Sequence, residues 1–215
     1  SRNIHCDVLV VGAGISGILA AKNAAKNNFK TLLVDEKNEL GGSTIFENNE
    51  FNKIDNKTPS EWLKKEIEEL KNIKNLEIKT RTSVAAYHQY NYLLARENLT
   101  DHLEAKEKTN KIRQRLLKIR AKKVILATGA LERPLIFNNN DRPGIMLSSA
   151  IKKYSEFYGV ACGSKNVFFT NNDSAYESAI SLYNKGINVE AIIDIREQSE
   201  SKIVKKVKEA GIKIY

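Results

Sequence analysis

The chain has 215 residues, of which 41% are hydrophobic and 28% charged, and no apolar run is long enough to cross a bilayer, so we predict a globular protein without membrane contact. The formal net charge of +9 does not predict a nucleic-acid partner, because the lysines are interleaved with glutamates as on solvated helix faces, although an acidic protein partner stays open. The cysteines Cys6 and Cys162 form no C-x-x-C pair for redox or metal chemistry, and without a signal-peptide pattern the expected location is the cytoplasm.

The first predicted unit, residues 6–36, has the order strand, glycine-rich turn, helix, strand. The apolar run 8–11 is rich in β-branched residues and predicts a buried strand. Residues 15–25 have helical spacing without proline, and residues 31–34 form a second apolar run. This order is that of the βαβ unit of dinucleotide-binding proteins.

A glycine motif lies between the first strand and the helix. Gly12, Gly14 and Gly17 give G-x-G-x-x-G. The first glycine allows a tight turn, the second lets a pyrophosphate approach the backbone, and the third lets the helix pack on the strand. Asp35 directly follows the second apolar run, eighteen residues after Gly17. A carboxylate at this position accepts hydrogen bonds from a ribose and disfavours the 2′-phosphate of NADP. The motif in this context predicts a dinucleotide site.

The next segment contains a second glycine turn and a helix. The turn at 40–43, Leu-Gly-Gly-Ser, would lie beside the bound ribose and phosphates. Residues 47–57 are polar and predict a surface loop. A helix then runs to about residue 73, with Thr58 or Ser60 as its cap.

A small antiparallel β insertion is predicted at about residues 76–120. The charged stretch 98–111 lacks periodicity and indicates a hairpin tip or a mobile excursion within it. The predicted strands of this layer are 76–79, 83–87, 90–95 and 113–119.

A separate buried strand is predicted at 124–126, followed by Ala127-Thr128-Gly129-Ala130. Small side chains are needed where a strand end passes under a bound cofactor, and a glycine permits the turn that follows. This stretch therefore supports the dinucleotide site.

The last third of the chain repeats the first unit in a degenerate form. Thr170, Asn172 and Ala175 stand where the first unit has glycines, and the first two side chains would obstruct a pyrophosphate. We therefore predict that this second site is not a standard nicotinamide site. The predicted elements are a helix at 145–158, a strand at 166–170, a helix at 174–184, a strand at 189–193, a helix at 199–210 and a strand from 212.

Together these elements predict an α/β chain. Residues 1–143 would form an FAD/NAD(P)-binding, Rossmann-like three-layer domain with the antiparallel insertion, and residues 144–215 a truncated second nucleotide-binding-like unit. The second sheet stops soon after it begins, which would leave an open edge and indicates a piece of a longer protein.

Two stretches carry a resemblance to a known family. They are Ala127-Thr-Gly-Ala-Leu-Glu-Arg-Pro, continuing to Asn-Asp-Arg-Pro-Gly at 140–144, and Phe168-Phe-Thr-Asn-Asn-Asp-Ser-Ala-Tyr. Both resemble the alpha subunit of heterotetrameric sarcosine oxidase. The resemblance implies an oxidoreductase complex with beta, gamma and delta subunits, which demethylates sarcosine to glycine, reduces oxygen to hydrogen peroxide and passes the one-carbon unit to tetrahydrofolate. It also implies that the isolated chain is inactive.

The same resemblance implies NAD in the first site, with FMN and FAD mainly on the beta subunit of the complete complex. The implied diphosphate contacts lie in the glycine motif, those to the adenosine ribose follow the second strand, and one backbone contact to adenine lies in the antiparallel layer. The predicted cofactor-binding residues are Gly12, Gly14, Ser16, Gly17, Asp35, Glu36, Lys37, Gly42, Ser43, Val84, Thr128 and Gly129.

Two alternatives stay open. The first site could hold FAD, as in a subunit of an opine or cyanide-forming dehydrogenase, or the chain could be a non-catalytic assembly module. No catalytic residue and no metal ligand is predicted, because His5, His88 and His102 have no acid or nucleophile at a spacing that suggests a mechanism.

Overall fold

The computed structural model describes residues 1–47, 52–108, 110–197 and 200–215. Its contacts divide the chain into two compact units, residues 1–129 and 130–215. The domain limits inferred from the sequence, at residues 143 and 144, stay a prediction.

The first unit is built on one six-stranded sheet. The strand order is β3-β2-β1-β6-β5-β4, with parallel pairing from β3 to β6 and antiparallel pairing from β6 to β4. The elements are β1 (Arg2–Val11), α1 (Ile15–Lys26), β2 (Thr31–Val34), α2 (Pro59–Lys71), β3 (Leu76–Lys79), β4 (Thr82–His88), β5 (Tyr92–Asn98), α3 (Ala105–Lys108) and β6 (Gln114–Leu126), with 3₁₀ turns at Gly42–Phe46 and Gln89–Asn91.

Three of the predicted strands are arranged differently in the structure. β3 was expected in the antiparallel layer, but it pairs in parallel with β2 and forms the edge of the nucleotide-type sheet. The strands predicted at 113–119 and 124–126 are one continuous strand, β6. It does not break, because β1 pairs with it all the way from Leu117 to Leu126, while β5 pairs with its first half.

The sheet has a buried cluster on each face. On one face α1 and α2 cover the strands, with Ile18 and Trp62 almost fully buried against Val10. On the other face Leu9 and Leu32 pack in one cluster with residues of β5 and β6. Helices thus cover one face of the sheet, and a second buried cluster that includes the antiparallel strands lies on the other, which agrees with the predicted FAD/NAD(P)-binding, Rossmann-like α/β fold class.

The start of α2 shows how its sequence fixes a helix end. The Thr58 hydroxyl accepts a hydrogen bond from the Glu61 backbone N–H, and the Glu61 carboxylate accepts one from the Thr58 N–H. Pro59 occupies the first helical position, where no backbone donor is needed. Of the two predicted caps, Thr58 is the one used. The loop predicted before it, 47–57, includes residues 48–51, which lie outside the described residues.

The second unit contains a three-stranded parallel sheet, in the order β7-β8-β9. The first helix starts at Ser148 rather than at residue 145, because the Glu132 carboxylate accepts hydrogen bonds from the N–H groups of Ser148 and Ser149. The predicted start of the last helix, Ser199, lies outside the described residues, and the helix is capped by Ser201. The elements are α4 (Ser148–Tyr158), β7 (Asn166–Thr170), α5 (Ser174–Asn184), β8 (Val189–Asp194), α6 (Lys202–Glu209) and β9 (Lys213–Ile214).

Candidate dinucleotide site

The predicted site residues of the first unit lie along the carboxyl ends of its parallel strands. The glycine motif follows β1, Asp35 follows β2 and Ala127 follows β6. The Ala127 N–H donates to the Val11 carbonyl at 2.8 Å, which holds two of these strand ends side by side. In sheets of this kind, ligands bind in the crevice outside these strand ends.

Each glycine of the motif has a distinct role in the structure. A Cβ on Gly12 would lie 2.3 Å from the Ala127 carbonyl oxygen, and its φ of +98° also favours glycine. A Cβ on Gly17 would lie 1.8 Å from the Gly12 carbonyl oxygen. In contrast, nothing lies within 4 Å of a Cβ on Gly14. Gly12 and Gly17 are therefore required by packing, whereas Gly14 leaves open space beside the start of α1.

The N-terminus of α1 offers unpaired backbone donors. Gly14 is the N-cap and provides no side chain to cap the helix. Among the described residues, the N–H groups of Gly14, Ile15, Ser16 and Gly17 have no hydrogen-bond acceptor. Such donors, together with the positive end of the helix dipole, bind phosphate groups. The loop therefore presents backbone donors of the kind that binds a diphosphate.

The Asp35 carboxylate is fixed in position by two backbone groups. Its Oδ2 accepts from the Ala13 N–H at 2.6 Å, and its Oδ1 accepts from the Lys37 N–H at 2.8 Å. Each carboxylate oxygen can accept a further hydrogen bond. Asp35 is half-buried, so its remaining acceptor positions can receive ribose hydroxyls.

The second glycine turn packs on the first. The Gly41 N–H donates to the Ala13 carbonyl at 2.7 Å. Gly42 has a φ of +60°, and a Cβ on it would lie 3.0 Å from the Gly14 Cα. Ser43 is exposed, and the buried hydroxyl of the next residue, Thr44, has no partner among the described residues. The second turn therefore lies against the glycine motif, and its position beside a bound ribose and phosphates stays a prediction.

The other predicted residues lie close in sequence to these strand ends or to residues bonded to them. Val84 is two residues beyond Thr82, whose N–H donates to the Asp35 carbonyl. Ser16, Glu36, Thr128 and Gly129 are exposed, and Lys37 is half-buried. Whether they contact a ligand stays a prediction.

Sequence reasoning did not assign a role to Ala13. Its N–H binds Asp35 and its carbonyl binds Gly41, so it joins three segments. The residue is fully buried, and only its small size in the second position of the motif could have indicated this role.

The corresponding loop of the second unit is closed by its own side chains. The Thr170 hydroxyl donates to the Asn172 carbonyl at 2.9 Å and accepts from the Asn172 N–H at 3.1 Å. The Asn172 side-chain oxygen accepts from the backbone N–H and the hydroxyl of Ser174. A donor at the start of α5 that could bind a phosphate is therefore already satisfied.

An arginine occupies the space beside this loop. The Arg196 guanidinium binds both carboxylate oxygens of Asp194 and reaches Asp173 at 2.8 Å. Asp194 ends β8 as Asp35 follows β2, and its Oδ2 also accepts from the Tyr176 hydroxyl at 2.8 Å. The Arg196 contacts lower the pKa of Asp194 to about 2. Burial and the hydrogen bond to Asp194 raise the pKa of Tyr176 to about 12. The acid that would bind a ribose is thus neutralised internally.

The cysteines are not arranged for disulfide chemistry at this site. Cys6 lies in β1, about 20 Å from Gly12 at the usual rise per strand residue. Burial raises the pKa of its thiol to about 11. In the part of the chain that the structure describes, no cluster of His, Cys, Asp or Glu could hold a metal ion, and no helix could cross a membrane.

Comparison with known proteins gives one family match. The profile of the family "Pyridine nucleotide-disulphide oxidoreductase" matches residues 6–189. FAD/NAD-binding, Rossmann-like domains define the fold of this family, which agrees with the fold described above.

Three curated relatives that match most of the chain have the same name, and two of them illustrate the match. The chain is 42% identical over 194 residues to sarcosine oxidase subunit alpha of Corynebacterium sp. (strain P-1), covering 90% of this chain and 20% of that protein. It is 38% identical over 192 residues to sarcosine oxidase subunit alpha of Rhizobium meliloti (strain 1021), covering 89% of this chain and 19% of that protein. The resemblance seen in the sequence is confirmed, and the chain spans about a fifth of the length of these relatives.

Solved structures agree on the fold. L-proline dehydrogenase from P. horikoshii superposes with a TM-score of 0.71 at 25% identity, covering 94% of this chain and 38% of that one. Thioredoxin reductase from T. acidophilum superposes with a TM-score of 0.67 at 19% identity, covering 98% of this chain and 63% of that one. The second likeness concerns the fold alone.

Proposed function

The chain belongs to the pyridine nucleotide-disulphide oxidoreductase family, and from this premise we propose that it is the NAD-binding region of a sarcosine oxidase alpha subunit. The family and the fold support binding of FAD or NAD(P). The choice of NAD, and of one nucleotide per chain, is our proposal.

The observation that carries the proposal is the geometry of the first crevice. The N–H groups of residues 14–17 have no acceptor in the described part of the chain, the space beside Gly14 is open, and Asp35 is tied to the same loop through Ala13. Donors for a diphosphate and acceptors for a ribose are thus fixed at neighbouring positions, as the ADP half of a dinucleotide requires. The carboxylate at Asp35 favours a free 2′-hydroxyl over the 2′-phosphate of NADP.

One nucleotide per chain follows from the contrast between the units. In the second unit the Asn172 side-chain oxygen accepts a hydrogen bond from the Ser174 N–H at the start of α5. The Arg196 guanidinium donates to the carboxylate of Asp194. We therefore assign nucleotide binding to the first unit, with Gly12, Gly14, Ser16 and Gly17 on the diphosphate.

The reaction is proposed from the relatives that bear the name. A protein called sarcosine oxidase subunit alpha is one subunit of an oxidase, which supports a role in a complex that oxidises the C–N bond of sarcosine with oxygen as the acceptor. Transfer of the one-carbon unit to tetrahydrofolate, the beta, gamma and delta partners and a cytoplasmic location belong to the same proposal. In this proposal the chain binds and orients the nucleotide, and the reacting groups lie elsewhere in the complex.

The FAD alternative uses the same crevice, because FAD and NAD share the ADP half that Asp35 and the glycine loop would bind. An absorbance spectrum of the purified chain, followed by denaturation and mass analysis of the released ligand, separates the two. NAD without a flavin band supports the proposal, whereas a stoichiometric flavin contradicts it. If the chain is purified without ligand, titration with NAD and FAD gives the same decision from the two affinities.

A further inference from the structure

The antiparallel part of the first unit has a solvent-facing side with an unusual composition. We call this side the outer face. It lies opposite the buried residues Leu93, Ala95, Leu117 and Ile119. Strand alternation and register place residues of four strands on it, among them His5, His88, Tyr92, Leu94, Arg96, Leu116, Lys118 and Arg120.

The positive charges of the outer face are not balanced by nearby carboxylates. Arg96, Lys118 and Arg120 form no ion pair with any described residue. Asp7 is the only carboxylate that strand alternation puts on this side among the described residues of β1, β4, β5 and β6, and it is already bound to Lys122 at 2.8 Å. The glutamate Glu97 points to the other side, where it is buried and paired with Lys79.

A solvated face elsewhere in the chain has a different pattern. On α2, Lys65 pairs with Glu69 and Lys71 pairs with Glu68, within the same helix. Lysines and glutamates alternate there, so their fields cancel over a short distance. The outer face instead presents a net positive field to solvent.

The centre of the outer face is a row of planar side chains across four strands. The register aligns His5, Arg120, Tyr92 and His88 on β1, β6, β5 and β4. The Arg120 guanidinium carbon lies 4.9 Å from the centre of the Tyr92 ring, and the rings of His88 and Tyr92 are 5.8 Å apart. The Arg120 Nη1 also donates to the Tyr90 carbonyl at 3.4 Å, and the remaining guanidinium donors can bind a carboxylate.

Beside this row the hairpin tip presents an aromatic side chain. Tyr90 is 84% exposed and has left-handed backbone angles, with φ 57° and ψ 35°. The tip is fixed from two sides, because Asn91 accepts from the Tyr87 hydroxyl and donates to the Lys122 carbonyl. Asn91 also has a positive φ of 52°, so these backbone angles belong to the tight hairpin turn, which holds the Tyr90 side chain out in solvent.

We propose that the outer face docks an acidic surface of a partner protein. Arginine and tyrosine are the residues that dominate protein interfaces, and the unpaired cations select carboxylates. Nucleic acid is the less suitable partner, because binding of single strands needs free aromatic faces for the bases. The Arg120 guanidinium already covers one face of Tyr92.

The test measures how tightly the full chain binds a fluorescent polyglutamate peptide at low ionic strength. Binding is detected by the fluorescence anisotropy of the peptide. The variant is Lys118→Gln with Arg120→Gln. The matched control is Lys64→Gln with Lys71→Gln on α2, which removes the same charge from a solvated face. Dinucleotide affinity is measured on both double variants. Because neither changes a residue of the candidate dinucleotide site, an unchanged affinity shows that the first unit is folded. The docking proposal can then fail without the proposed function failing.

The outer-face pair is expected to weaken peptide binding at least about tenfold, and the control pair at most about twofold. Equal losses in both pairs would show that only net charge matters and would overturn the proposal, as would a wild-type chain that does not bind the peptide. If a U-rich single-stranded RNA binds more tightly than the peptide, and the outer-face double variant loses this binding, the acidic-protein proposal is overturned in favour of a nucleic-acid partner.

Discussion

The carboxylate of Asp35 accepts a hydrogen bond from the backbone N–H of Ala13 at 2.6 Å, which joins the end of β2 to the glycine loop. Ala13 also accepts from Gly41 through its carbonyl, so one small residue connects the three segments of the candidate site. The positions of the proposed ribose acceptor and of the proposed phosphate donors are thereby coupled.

Replacement of Asp35 by Ala should weaken NAD binding about 10- to 100-fold, because hydrogen bonds to a carboxylate contribute about 1.5–3 kcal/mol. Calorimetry gives both the affinity and the number of sites. We expect one site in the wild-type chain and the loss of that same site in the variant. Glu39→Ala, at an exposed acidic position four residues further along the chain, is the control and should bind NAD like the wild type. A second, undiminished site in the Asp35 variant would contradict the closure of the second unit.

Of two glycine substitutions, Gly17→Ala should mainly lower stability, and Gly14→Ala should mainly weaken NAD binding. Gly17→Ala should lower the free energy of unfolding by about 3 kcal/mol, because its Cβ meets the Gly12 carbonyl. Gly14→Ala should cost less than about 1 kcal/mol, since its Cβ enters open space, but should weaken NAD about tenfold or more by filling that space.

Fluorescence of Trp62 during urea unfolding checks the stability changes in these two variants. This is the chain's single tryptophan, and it is 1% exposed in the core of the first unit. A Gly14→Ala variant that is stable and binds NAD as tightly as the wild type would contradict the assigned diphosphate position.

The second unit should lose stability in acid because of Asp194. Its pKa is lowered from 3.8 to about 2 in the folded chain, so the unfolded state binds the proton more readily. The resulting stabilisation, about 1 to 2 kcal/mol after allowance for solvent screening, is present above about pH 4 and is lost as the pH falls through 2. Arg196→Ala should remove most of this pH dependence.

Urea unfolding followed by far-UV circular dichroism between pH 2 and about pH 7 measures this effect. Arg133→Ala, at an exposed position of the same unit, is the control and should keep the wild-type slope. If the Arg196 variant retains the full acid dependence, the ion pair with Asp194 is not its cause.

Cys6 should be unreactive in the folded chain. Its thiol pKa of about 11 leaves only about one thiolate in a thousand at pH 8. Iodoacetamide should therefore give one adduct, at the half-buried Cys162, and two adducts after denaturation. Intact-mass analysis counts the adducts, and Cys6→Ser confirms the assignment. Rapid double labelling of the folded chain would show that β1 opens in solution.

The sequence was most informative where local rules decide the structure. The strand at 31–34, the strand at 166–170 and the helix at 174–184 have the predicted limits, because periodicity and flanking turn residues define them. The direction of β3 and the continuity of β6 were not predictable, since side-chain patterns do not encode the partner of a strand.

In the candidate site, too, some features were predictable from the sequence and others were not. Gly12, Gly17 and Asp35 were found because their spacing is a property of one βαβ unit. The bond between Asp35 and Ala13 depends on the register of two strands, and the contact of Arg196 with Asp173 depends on how a loop and a strand end meet in space. Neither relationship leaves a periodic signal in the sequence.

The pairing of β1 with β6 also has a consequence for the order in which the chain folds. Arg2 is aligned with Leu117 and Val11 with Leu126, so the central strand of the sheet finds its second neighbour only after most of the first unit has been synthesised. Pairings between distant segments slow folding, because the entropy of closing the intervening chain is lost before the contacts form. Gly12 packs against Ala127, so the loop that would hold the nucleotide acquires its final shape in the last step. A newly made chain should therefore gain nucleotide affinity late, with the closure of its sheet.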